Sequence, residues 1–120
     1  MTTRQQRGQN AEALAANFLR ERGYSILTTN WHCRYGELDI VARQDETIVF
    51  VEVRARSAGG TATAFESIGA RKQARLTAAA QSYLAAHELD EVSWRVDAIA
   101  VGLRGSAAPV IEHVENALDW

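Results

Sequence analysis

The chain has 120 residues, a formal net charge of −2 and a pI near 5.9. This balance excludes a protein that coats nucleic acid through bulk positive charge. Its content of 47% hydrophobic and 23% charged residues is typical of a globular protein, and its length predicts a single domain over residues 1–120.

Cysteine usage and hydropathy indicate the compartment. Cys33 is the only cysteine, which excludes an internal disulfide and a cysteine-based zinc site. No apolar run approaches the roughly 20 residues that a membrane span requires, and the first residues lack the apolar centre of a secretion signal. We therefore expect a cytoplasmic protein without a membrane partner.

Hydrophobic periodicity predicts the element order helix, three strands, helix, two strands. In the first helix Leu14, Phe18 and Leu19 share one face, and Gly23 follows as a C-terminal cap. The predicted bounds in chain order are 4–22, 24–31, 35–42, 48–56, 67–86, 94–101 and 109–114.

The connections predict the topology of an α/β fold. The short turn at Asp45 and Glu46 implies an antiparallel hairpin. A strand–helix–strand crossover favours a fourth strand that lies parallel to a neighbour. Residues 57–66, which include Gly59 and Gly60, are predicted to form a loop. The result is a mixed sheet flanked by helices.

Charged side chains lie within the two strands of that hairpin. Residues two apart in a strand share a face, so Glu37 and Asp39 point one way, and Glu52, Arg54 and Arg56 point together from the adjacent strand. Both strands are otherwise rich in valine and isoleucine, as a sheet interior requires. Carboxylates in that setting repel one another unless a cation neutralises them.

These carboxylates are candidate metal ligands. Asp39, Glu52 and Glu37 offer the oxygen atoms that Mg²⁺ or Mn²⁺ prefers, and Val53 could add its backbone carbonyl. A metal held there would polarise a phosphodiester and activate a water for in-line attack. The alternative is a cross-strand ladder of ion pairs on a solvated face.

Three more residues could act in the same chemistry. Arg54 cannot serve as a general base, but it can balance the carboxylates or stabilise charge on a phosphate oxygen. Lys72 could reach the same region. Glu12 lies at the border of the apolar stripe of the first helix and could lean over the sheet as a further ligand. Its alternative is a surface pair with an arginine.

Basic residues near the start of the second helix are candidate phosphate contacts. Arg71, Lys72 and Arg75 oppose the helix dipole there, a cost that suggests binding of a phosphate backbone. Arg54 and Arg56 would extend this track past the carboxylates. A solvated helix face is the alternative. Asp97, in the middle of a later strand, is expected to neutralise a basic residue in a structural role.

Several pieces of the chain combine into a recognisable pattern, and together they resemble the YraN-like family. This family of small bacterial proteins belongs to the restriction-endonuclease-like superfamily and is related in fold to archaeal Holliday-junction resolvases. The pieces that carry the resemblance are Gly8 with Glu12, Gly23 and Tyr24, Asn30, the stretch 36–42, the stretch 49–54, Lys72, Arg95 with Asp97, and Asn116 with Ala117.

The resemblance implies a restriction-endonuclease-like fold and a nuclease signature. Asp39 would match the first metal-binding acid, Glu52 the second and Glu12 the helix glutamate of the resolvases, while Arg54 replaces the usual lysine. The implied activity is Mg²⁺- or Mn²⁺-dependent cleavage of structured or branched DNA. The alternative is a catalytically inactive domain that binds nucleic acid or assembles with protein. The two-fold symmetry of a junction would suit a homodimer.

Overall fold

The computed structural model describes residues 4–56, 68–102 and 108–118 of the chain. Within them the order of elements agrees with the prediction. In chain order they are α1 (Arg4–Glu21), β1 (Ser25–Cys33), β2 (Gly36–Gln44), β3 (Thr47–Arg56), α2 (Ala70–Ala86), β4 (Ser93–Gly102) and β5 (Val110–Val114).

Local sequence explains most of the boundaries. Gly23 follows α1 with a φ of +90°, a conformation that glycine adopts without strain. Helix α2 begins at Ala70, after Gly69 in an extended N-cap conformation. The predicted first turn of that helix at Ser67, like the predicted loop 57–66, lies outside the described residues. No helix among the described residues is long and apolar enough to span a membrane.

The five strands form one mixed sheet in the order β1-β2-β3-β4-β5. Strands β3 and β4 are parallel along their length, and the other neighbours are antiparallel. The predicted hairpin and the predicted parallel crossover are therefore both confirmed. Strand β3 is the central strand of this sheet.

Each helix covers one face of the sheet. Helix α1 buries Ala11, Ala15 and Leu19 against Ile40 and Val51. On the other face the cluster that includes α2 contains Leu76, Ala80, Tyr83, Leu38 and Phe50. Side chains that leave water in these two layers provide the main favourable free energy of folding.

Strict alternation of buried side chains fails in β2, although Glu37 and Asp39 still bring their carboxylates together as expected from the sequence. Leu38 and Ile40 are two residues apart, yet Leu38 packs in the layer of α2 and Ile40 in the layer of α1. The β2–β3 pairing also stops at Ile40 and Val51, while β3 continues beside β4. Strands β2 and β3 therefore separate immediately before Asp39, which opens a gap between them.

Candidate active site

Asp39 lies at the gap between β2 and β3. The Val53 N–H lies beyond the last β2–β3 pair and donates to Asp39 Oδ2 over 2.8 Å. A buried N–H without an acceptor is costly, so the carboxylate replaces the missing strand partner. This contact fixes the orientation of Asp39. Val53 thus contributes its backbone N–H to the site.

Carboxyl groups from three elements converge at this gap. Glu12, Glu37 and Asp39 each place one oxygen within 4.8 Å of the others. Glu52, from β3, shares a hydrogen bond with the protonated carboxyl group of Asp39. The predicted ligands Asp39 and Glu37 are thus brought together with Glu12, and Glu52 joins them through Asp39.

This crowding changes the acidity of Asp39. Burial, followed by the nearby negative charge of Glu52, raises its pKa from 3.8 to about 8, and Glu12 adds to the rise. The hydrogen bond from Val53 opposes the shift without cancelling it. At neutral pH the metal-free site therefore holds a proton that a cation of higher charge would displace.

Glu12 reaches the site from the layer of α1. It is half-buried, next to the buried Ala11, so its side chain extends along the edge of the helix–sheet interface. Burial raises its pKa, a hydrogen bond with Asn30 lowers it, and Glu37 and Glu52 raise it further. The Glu12 side chain thus extends over the sheet toward Glu37 and Asp39.

Asn30 contributes to the candidate site, although the sequence analysis assigned it no role. It lies in β1 with a φ of +53°, in the left-handed region that asparagine tolerates better than most residues. From there its side chain hydrogen-bonds Glu12 and holds that carboxylate at the site. An asparagine inside a run of strand-forming residues is the one signal that could have drawn attention to it.

Cations face the site from the layer of α2. Lys72 Nζ lies 3.3 Å from Glu52 Oε1, and Arg54 Nε lies 3.5 Å from the same oxygen. Glu52 is only 4% exposed, so these two cations compensate a charge that water cannot reach. The Arg54 Nε is buried and makes no hydrogen bond, so its contact with Glu52 is an ion pair without hydrogen-bond geometry.

A surface pocket adjoins these cations. It is lined by Tyr35, Gly36, Glu37, Lys72, Arg75 and Leu76. Arg71 is exposed one turn before Arg75 on α2, so the predicted phosphate contacts border the pocket. The Arg56 side chain lies outside the described part of the chain. His32 Nε2 lies 3.9 Å from Glu37 Oε1 at the opposite rim.

A second buried carboxylate, Asp97, lies in the middle of β4, paired in register with Val51 of β3. Arg95 Nε donates to Asp97 Oδ1 over 2.9 Å, the Asn116 N–H donates to the same oxygen over 2.9 Å, and His113 Nε2 lies 2.8 Å from Asp97 Oδ2. Arg95 also donates to Tyr24 and to Gln44, the last residue of β2. The structure does not bring Asp97 to the carboxylate cluster; Asp97 neutralises Arg95 within the fold.

Comparison with known proteins supports the resemblance seen in the sequence. A family model described as uncharacterised protein family UPF0102 matches residues 11–101. The chain belongs to the UPF0102 family. The matched range contains Glu12, Asn30, Glu37, Asp39 and the whole of β3, and thus every carboxylate of the cluster.

Relatives in the UPF0102 family align over nearly the full chain. A UPF0102 protein of Roseiflexus castenholzii is 48% identical, covering 99% of this chain and 98% of the relative. A UPF0102 protein of Chloroflexus aurantiacus is 44% identical, covering 98% of this chain and 96% of the relative. A UPF0102 protein of Nitrosomonas europaea is 42% identical, covering 99% of this chain and 98% of the relative. The family assignment therefore extends across all the elements that build the candidate site.

Proposed function

We propose that this protein is a divalent-metal-dependent nuclease acting on structured or branched DNA. The observation that carries the proposal is the convergence of Glu12, Glu37 and Asp39 at the gap between β2 and β3, with Glu52 bonded to Asp39. Four acidic side chains at one point are unfavourable unless a cation is bound there. The cluster also borders a set of basic residues suited to phosphate.

The donor set fits Mg²⁺ or Mn²⁺. Both ions prefer carboxylate oxygens, and Mg²⁺ uses a few carboxylates while keeping several waters. Glu12, Glu37 and Asp39 would hold the ion, with Glu52 supporting Asp39. The histidines of the described residues do not join this cluster, which agrees with a hard cation. When bound, the ion would polarise a phosphodiester and assist the attack of water.

The basic residues serve the phosphodiester. The positive charges of Lys72 and Arg54, which both face Glu52, can stabilise charge that develops on phosphate oxygens. A guanidinium group has no lone pair available to act as a general base, so Arg54 cannot remove a proton from water. Exposed Arg71 and Arg75 can hold the strand by contacts to its backbone, and we assign Arg56 the same role from the sequence alone.

Cleavage of a labelled four-way junction tests the proposal. We expect products with Mg²⁺ or Mn²⁺, none with EDTA, and a rate at least about 100-fold lower for Asp39→Asn, since the ion loses a central carboxylate. Asp45→Asn is the matched control because it removes the same charge from an exposed turn whose φ of +53° suits asparagine. If no DNA or RNA substrate is cut with any divalent ion, the proposal fails.

A second candidate function is a nucleic-acid-binding or assembly domain without catalysis. The specific observation in its favour is that Lys72 and Arg54 already compensate Glu52 without a metal. This candidate predicts salt-sensitive binding that Arg71→Ala and Arg75→Ala weaken and that EDTA leaves unchanged. Binding that requires a divalent ion and yields a cleaved product would exclude it.

A further inference from the structure

An exposed tyrosine forms one wall of the pocket beside the carboxylates. Tyr35 is 38% exposed at the turn between β1 and β2, where most turn residues are small and polar. Its position is constrained, because Arg34 Nη2 donates to the Tyr35 hydroxyl over 2.6 Å and the guanidinium lies 4.8 Å from the ring centroid. The ring is therefore held in place before any ligand arrives.

The rest of the pocket joins this ring to the candidate site. Glu37 lines the pocket and also belongs to the carboxylate cluster. Lys72 lines it too, and its ammonium group contacts Glu52. Arg75 adds a second cation one turn along α2. A single small cavity thus presents an aromatic ring, two cations and one ligand of the proposed metal.

We infer that this pocket binds an unpaired nucleotide next to the phosphodiester that is cut, with its base against Tyr35 and its phosphate at Lys72 and Arg75. The inference rests on the proposed nuclease function and narrows its substrate class. An aromatic ring attracts the flat face of a base, and stacking of this kind is tolerant of sequence. The cations match the negative charge of the adjoining phosphate.

Paired DNA is a poor ligand for this arrangement. Inside a duplex both faces of each base are covered by neighbouring bases, so a protein ring can stack only on a base that has left the helix or never entered it. The favoured substrates are therefore single strands, flaps and junctions with an unpaired nucleotide. A continuous duplex would bind only through contacts between its phosphates and the cations.

Binding measured by fluorescence anisotropy in EDTA, which prevents cleavage, tests the inference. The probes are a labelled 20-nucleotide single strand and the matching duplex, over a series of salt concentrations. Tyr35→Ala should weaken single-strand binding about 5- to 150-fold and leave duplex binding unchanged. Tyr35→Phe should retain the wild-type affinity because the ring remains.

Matched variants separate stacking from charge. Arg75→Ala should weaken both probes and reduce the slope of log K against log salt for the single strand by about 0.7, whereas Tyr35→Ala should leave that slope unaltered. Leu27→Ala removes an exposed apolar side chain that lies in β1, away from the turn of Tyr35, and is 42% exposed. This control should change neither the single-strand nor the duplex affinity. Equal weakening of both probes by Tyr35→Ala, or no weakening at all, would overturn the inference.

The outcomes also separate this inference from the proposed function. Cleavage that depends on metal and on Asp39, together with no effect of Tyr35→Ala on single-strand affinity, refutes the nucleotide pocket alone. A selective Tyr35 effect in a protein that cuts nothing supports the pocket and refutes the nuclease. Absence of any nucleic-acid binding at low salt refutes both.

Discussion

Two aspartates in the same sheet, the half-buried Asp39 and the buried Asp97, have pKa values shifted in opposite directions. Burial on its own raises the pKa of Asp97, but hydrogen bonds from His113, Arg95 and the Asn116 N–H outweigh it and leave the pKa below its ordinary value. Burial, the neighbouring charge of Glu52 and then that of Glu12 together raise the pKa of Asp39 to about 8. The contrast arises chiefly from the partners, since Asp97 is surrounded by donors whereas Asp39 faces other acids.

The comparison distinguishes a carboxylate that stabilises the fold from one that is prepared for chemistry. Asp97 has its lone pairs occupied by donors from β4, β5 and the turn after β5. Asp39 receives one hydrogen bond from the backbone and otherwise faces other acids. Groups of the second kind are typical of functional sites, because the fold gains little from them without a ligand.

The largest expected effect is on the Asp97 side of the comparison. Asp97→Asn replaces one oxygen acceptor by an amide donor and leaves Arg95 without its buried counter-charge. We expect the free energy of unfolding to fall by about 3 kcal/mol, measured by urea denaturation at pH 7. Asp45→Asn, the same change in an exposed turn, should stay within about 0.5 kcal/mol of the wild type. If the free energy of unfolding falls by a similar amount in Asp97→Asn and Asp45→Asn, Asp97 has no special role in stabilising the fold.

A smaller effect is expected from pH. Since the folded-state pKa of Asp39 is raised to about 8, its contribution to the stability of the metal-free protein is complete below about pH 4 and is lost as the pH rises toward 8. The free energy of unfolding should therefore decline by about 1 kcal/mol between pH 6 and 7 relative to Asp39→Asn. The measurement is urea denaturation of both proteins in EDTA.

Asp97 should show the opposite dependence, which provides the internal control. Its lowered folded-state pKa means that its contribution is present above the ordinary pKa of an aspartate and is lost in acid. The difference between the wild type and Asp97→Asn should therefore be constant from pH 6 to 8 and shrink below about pH 4. If the free energies of unfolding of the wild type and Asp39→Asn change in parallel from pH 5 to 8, the account of the carboxylate cluster is contradicted.

The smallest expected effect concerns the support of Glu12. Asn30→Gly keeps the backbone at a positive φ but removes the amide that hydrogen-bonds Glu12. We expect a change in the free energy of unfolding of less than about 1 kcal/mol, together with an upward shift of the Glu12 pKa in an NMR titration of the side-chain carboxyl. Asn116→Gly, at a similar φ of +51°, should leave the Glu12 pKa unchanged.

Much of the fold followed from local patterns. The apolar stripe of α1 and the turn at Asp45 predicted a helix and a hairpin that the structure contains. The hairpin register also made it possible to predict that Asp39 and Glu52 lie close together, because strand pairing follows from turn length. Lys72 was predicted near the same region from its place at the start of the second helix.

Other features of the candidate site could not be deduced in this way. Leu38 and Ile40 pack on opposite faces although they are two residues apart, an irregularity of β2 that no sequence pattern indicated. The bond from the Val53 N–H to Asp39 forms only because the strands have already separated. Asn30 belonged to the family resemblance without a role, and Tyr35 lacked any recognisable motif. The relevance of both became visible only through the side chains that lie beside them.

The amino-acid sequence by itself determined the order of helices and strands, the family, and the set of acidic and basic residues available for chemistry. Such properties depend on neighbours along the chain, within one or two helical turns or strand pairs. Only the tertiary structure decided that β2 and β3 part at Asp39, that Glu12 and Lys72 approach from opposite layers, and that Asp97 is neutralised elsewhere. Those outcomes depend on how distant segments compete for the same buried hydrogen-bond partners, and no local pattern records that competition.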